Sequence, residues 1–73
     1  MKQLPLGRTD IMVSEWCLGS MTFGNQTPED DAHKQIEMSL DAGINLIDTA
    51  PAYGWGRSER VVGRAIKECR DKV

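Results

Sequence analysis

Hydrophobic and polar positions along the chain change period several times, and each change marks an element. Lys2 to Leu6 and Ile11 to Ser14 are two short strand-like runs around Gly7-Arg8-Thr9-Asp10, whose Gly and Asp favour a tight reversal. They predict a hairpin, with Pro5 on an edge strand because it cannot donate to a ladder. Trp16-Cys17-Leu18-Gly19 is a brief apolar run that fits a buried strand, and Ser20 to Gln26 reads as a loop.

The period then lengthens. Thr27-Pro28-Glu29-Asp30 has the features of a helix start: a hydroxyl at the N-cap, proline at the first helical position, and acids that complement the dipole. The helix is expected to run to about Ala42, with Ala32, Ile36, Leu40 and Gly43 forming one inward stripe and Gly43 a left-handed stop. Asn45 to Asp48 predicts another short strand, and Thr49 to Arg57 a loop. Ser58 is expected to cap a second helix from Glu59 to about Arg70, its stripe being Val62, Ala65, Ile66 and Cys69.

The order is hairpin, strand, helix, strand, helix. Strands alternating with helices imply parallel pairing through right-handed crossovers. Two βα units leave both edges of a parallel sheet open, and such sheets are normally covered on both faces or closed. The fold class is therefore α/β: an N-terminal hairpin placed to plug a barrel, then the first two βα units of a truncated (β/α)8 TIM barrel.

Composition narrows the function classes. Nine basic against eleven acidic residues give a formal charge of −2, with no basic cluster, which argues against nucleic-acid binding. No apolar run is long enough for a membrane span, and the first residues lack a secretory signal, so a cytoplasmic protein is expected. Two cysteines, Cys17 and Cys69, make neither a disulfide scaffold nor a zinc site. Both are expected to be small buried hydrophobes. Met12, Met21 and Met38 are read as gap fillers, and His33, Lys67 and Lys72 as surface residues.

Active sites of α/β barrels lie at the carboxyl ends of the strands. Gly19 to Gly24 and Asp48 to Gly54 occupy that place. Taken alone, Asp48 has a plainer reading as the cap of a turn, and Tyr53 as a packed aromatic. The combined string changes this. Gly43-Ile44-Asn45-Leu46-Ile47-Asp48-Thr49-Ala50, Tyr53-Gly54, Gly56-Arg57-Ser58-Glu59 and Val62-Gly63 resemble the N-terminal signature of the aldo-keto reductases. Leu18-Gly19-Ser20-Met21-Thr22-Phe23-Gly24 is similar to that family's first strand and loop, notably in its bacterial and potassium-channel-β-like branch.

The resemblance implies a (β/α)8 barrel that transfers a hydride between NADP(H) and a carbonyl or alcohol, with a small-molecule substrate and no metal. It implies an Asp-Tyr-Lys-His tetrad in which Asp48 and Tyr53 match the first two members, Tyr53 as proton donor. Gly19, Ser20 and Met21, with Asp48, match the cofactor-lining positions, and Tyr53 and Trp55 the substrate-facing ones. A phenol holds its proton at neutral pH, and a nearby ammonium favours the phenolate and eases proton donation. An aspartate that holds the ammonium gives Asp48 a reason to close a strand.

The tetrad lysine and histidine belong to later strands and have no counterpart here. The chain is accordingly expected to be one unit, residues 1–73, forming the N-terminal part of a reductase and inactive alone. The alternative is a short non-catalytic interaction or regulatory module that pairs through its open sheet edge. Arg57 and Glu59 are expected either to tie the loop to the second helix or to meet substrate.

Overall fold

The computed structural model describes residues 1–73. Strands β1 (Gln3–Pro5) and β2 (Met12–Ser14) pair antiparallel with Leu4 opposite Val13. The reversal between them is held by the Thr9 hydroxyl, which donates to the Leu6 carbonyl at 2.6 Å. Strands β3 (Leu18–Gly19) and β4 (Ile47–Asp48) pair parallel, Leu18 with Ile47 and Gly19 with Asp48. Helices α1 (Glu29–Asp41) and α2 (Arg57–Ile66) follow β3 and β4 respectively, which is the expected βαβα order.

Several boundaries differ from the sequence expectation. Thr27 does not cap α1. Its hydroxyl lies 2.8 Å from that of Thr22, and Gly24 donates to the Thr27 carbonyl at 2.9 Å, so Thr27 closes the preceding loop on itself. Pro28 precedes the helix with extended backbone and no side-chain cap. The C-terminal expectation does hold: Gly43, at φ 92°, donates to Leu40 and Ile44 donates to Ser39, a Schellman closure. A Cβ at Gly43 would also lie 2.8 Å from the Met1 Cβ.

The strand expected over Asn45–Asp48 is confined to Ile47–Asp48, and the Asn45 amide donates instead to the Ser14 hydroxyl at 3.1 Å. The Asn45 Oδ1 accepts from the Ser14 amide at 2.7 Å and its Nδ2 donates to the Met12 carbonyl at 3.1 Å. This side chain stitches the hairpin to the barrel strand. Helix α2 stops at Ile66 rather than Arg70, and a separate short turn covers Arg70–Lys72.

The core comprises Phe23, Ala32, Ile36, Val61 and Val62, with Leu18, Leu40, Ile47, Ala65 and Ile66 packed around it. Phe23 enters from the loop after β3 and Val61 from α2, neither singled out by the expected stripes. The methionines and Cys17 correct the sequence reading. Met12, Met21 and Met38 are 49%, 64% and 71% exposed, and Cys17 is exposed while Cys69 is half-buried. Each lies on a surface that the few packed elements do not cover. No helix is long and apolar enough to cross a membrane.

Candidate functional site

Parallel pairing puts the carboxyl ends of β3 and β4 side by side, and the segments leaving them diverge around a shallow cleft. Gly19, Ser20, Met21, Thr22, Asp48 and Tyr53 line it, around a volume of about 250 Å³. The cofactor and tetrad positions named from the sequence are therefore brought together. Trp55 is not among them: it lies two residues after Tyr53 in the turn that follows and is 88% exposed.

Each side chain has a local reason for its place. Asp48 ends β4, where Ile47 packs toward the core and Asp48, next in the strand alternation, is exposed. Tyr53 begins a turn, Tyr53–Gly56, in which Gly54, Trp55 and Gly56 all have positive φ. Gly54 permits close packing there, since a Cβ would lie 3.3 Å from that of Arg57. Gly19 has open space beside it, so a flat ring can approach the main chain at the end of β3. The exposed thioether of Met21 adds an apolar wall.

Beneath the cleft lies a buried hydroxyl network that the sequence reading missed. Ser58 was expected to cap α2, but Gly56, in left-handed conformation, holds that position and Ser58 lies in the first turn, fully buried. Its Oγ donates to the Ser20 carbonyl at 2.7 Å and lies 2.8 Å from Ser20 Oγ and 3.0 Å from Thr49 Oγ1. Ser20 in turn donates to the Asp48 carbonyl through its hydroxyl at 2.6 Å and its amide at 3.1 Å. The available signal was the Gly-Arg-Ser-Glu order after a glycine-rich turn, where the glycine can end the turn and leave the serine free to face inward.

No lysine or histidine borders the cleft. His33 is half-buried on α1, its Nε2 3.1 Å from Glu29 Oε2. Lys67 and Lys72 are exposed. Arg57 and Glu59 form no ion pair; the stem of Arg57 instead packs on the loop glycines, a Cβ at Gly24 lying 2.8 Å from its own. The link between the helices is a different pair. Arg64 grips Glu29 through Nε at 2.7 Å and Nη2 at 2.6 Å.

The family model for the aldo/keto reductase family matches residues 15–73. The chain belongs to the aldo-keto reductase family. Among reductases of this family, it is 49% identical over 65 residues to the aldo-keto reductase YhdN of Bacillus subtilis, covering 86% of this chain and 19% of that one. It is 46% identical over 74 residues to the NADH-specific methylglyoxal reductase of Escherichia coli, covering 93% of this chain and 23% of the relative. In three dimensions it superposes on the holo form of the aldo-keto reductase AKR11C1 from Bacillus halodurans with a TM-score of 0.90 and 40% identity, covering all of this chain and 24% of that one. The chain thus spans about a fifth to a quarter of these relatives. Its hairpin and two βα units are the N-terminal portion of the aldo-keto reductase (β/α)8 barrel.

Proposed function

We propose that the chain forms the N-terminal part of a reductase that transfers a hydride between a nicotinamide coenzyme and a small carbonyl or alcohol. The observation that supports this reading is the convergence of Gly19, Ser20, Met21, Asp48 and Tyr53 on one cleft at the carboxyl ends of parallel strands. The open space at Gly19 and the apolar flank of Met21 suit the nicotinamide end of such a coenzyme. When bound, the coenzyme supplies the hydride.

Tyr53 donates a proton to the carbonyl oxygen as charge develops there, a contribution of roughly 10²–10⁴-fold. Asp48, acceptor-only when ionised, holds the ammonium that eases that donation. The residues lining the cleft include no cation, so in this reading the full-length enzyme supplies that ammonium from elsewhere, and the 73-residue chain alone is expected not to reduce carbonyls. The sequence resemblance favours the phosphorylated coenzyme, whereas one relative is named for NADH specificity. The residues lining this cleft contain no cation to select a phosphate, so we assign the coenzyme as NAD(P)H. Trp55, exposed in the same turn as Tyr53, is assigned to meet substrate on the strength of the family resemblance.

The test uses the full-length enzyme with NADPH or NADH and a reactive aldehyde. Tyr53→Phe is expected to lower kcat by about 10²-fold or more while coenzyme binding persists, and Asp48→Asn to lower it in the same direction. A Tyr53→Phe enzyme as fast as the wild type would overturn the reading. Turnover by the 73-residue chain alone, above its own Tyr53→Phe control, would overturn the need for an outside cation.

A further inference from the structure

The Ser58 hydroxyl lies where the segments around the cleft converge. It touches Ser20 at the end of β3 and Thr49 at the end of β4, and it sits in α2 five residues after Tyr53. We infer that Ser58 is a positioning residue for carbonyl reduction, fixing the Tyr53 turn against the strand end that carries Asp48. This rests on the reductase reading above.

Proton counting shows how the network works. Ser20, Thr49 and Ser58 bring three hydroxyl protons to four short oxygen contacts: Ser20 to the Asp48 carbonyl, Ser20 to Ser58, Thr49 to Ser58, and Ser58 to the Ser20 carbonyl. With Thr49 donating to Ser58 and Ser20 to the Asp48 carbonyl, the single Ser58 proton is shared between two acceptors of Ser20. The Ser20 carbonyl also accepts the Phe23 amide at 3.1 Å, so it stays satisfied when that proton turns toward Ser20 Oγ. The result is a chain of hydroxyls, Thr49 to Ser58 to Ser20, ending on the backbone of Asp48. Such chains polarise one another and hold their members in register.

Packing alone does not call for a hydroxyl here. Ser58 is 0% exposed and Ser20 1%, and burying a hydroxyl is costly unless its bonds are made. Nor is Ser58 a helix cap, since it makes no bond to an amide of α2. It does not line the cleft, so any effect on chemistry passes through Ser20, Asp48 and the Tyr53 turn. A displacement of about 1 Å between reacting groups is enough to cost on the order of 10²-fold in rate.

The experiment measures single-turnover coenzyme oxidation in the full-length enzyme, because that rate constant is independent of the fraction folded. Ser58→Ala is expected to lower it by about 10- to 100-fold with the coenzyme Kd little changed. The Ser20→Ala, Ser58→Ala double variant is expected to be no slower than the slower single variant, since both act through one chain. A Ser58→Ala rate constant equal to the wild type, with only the melting midpoint lowered, makes the hydroxyl merely structural and overturns the inference. If Ser58→Ala does not fold, Thr49→Val decides: it is expected to slow the same step to a smaller degree, and an unchanged rate overturns the inference. A wild-type enzyme that reduces no carbonyl instead overturns the reductase reading, and the inference falls with it.

Discussion

Trp55 holds φ 59° and ψ 36° between Gly54 and Gly56, both also at positive φ. For a bulky L-residue this left-handed conformation costs about 1–2 kcal/mol, and the nearly bare indole gains little burial to offset it. Asparagine tolerates the same region better. Trp55→Asn is therefore expected to leave stability unchanged or raise it by about 1 kcal/mol, read from the urea midpoint of the full-length protein. If the indole meets substrate, the same variant raises KM with kcat nearly constant. At this scale the sequence was informative where a residue's surroundings follow from a fixed motif, as with Asp48 at the end of β4 and Tyr53 in the turn after it, which line one cleft. It misplaced Ser58, expected to cap α2, because a serine just before a helical stripe usually reads as a cap. Only the left-handed Gly56, which takes the cap position itself, turns the serine inward.

The two helices are joined outside the core by Glu29 of α1 and Arg64 of α2. The hydrogen bonds from Arg64 hold the Glu29 carboxyl below the ordinary carboxylate range, aided by the charges of Arg64 and His33 and opposed by desolvation. Glu29 likewise raises the Arg64 guanidinium, whose contribution is fully present throughout the working range. Because the folded pKa of Glu29 is depressed, its contribution is present above the ordinary carboxylate value and is lost as pH falls through the lowered one. Stability is expected to drop across that acidic window, and Glu29→Gln to make the drop shallower, measured as urea midpoint against pH. Salt is expected to weaken the effect, since the pair is partly exposed. The pair was not legible beforehand: a sequence shows which helix faces are charged but not which face meets another helix. Thr27 illustrates the same limit. Its local pattern fits a cap, yet a loop closing through Thr22 claims the hydroxyl first.

At the scale of the molecule, the order of elements carried the fold, because alternating strands and helices leave few arrangements of a parallel pair. What order alone cannot convey is how much surface waits to be covered. A folded monomer of 8.1 kDa is expected to expose about 4,500 Å², whereas this chain exposes 5265 Å² and buries 8 of its 73 residues. Leu4, Ile11, Met12 and Trp16, on or beside the hairpin, are 42–69% exposed, and each strand of the β3–β4 pair has only one neighbour. A five-residue core supplies too little burial to balance the ordering entropy of the remainder. The 73-residue chain by itself is therefore expected to unfold over a broad denaturant range, to bind a hydrophobic dye, and to self-associate with rising concentration through its open edges. Urea titration, dye fluorescence and sedimentation velocity check these in turn. A sharp, dye-free transition from a monomer would show that the hairpin and two βα units are self-sufficient, and that the remaining strands of the barrel serve chemistry more than stability.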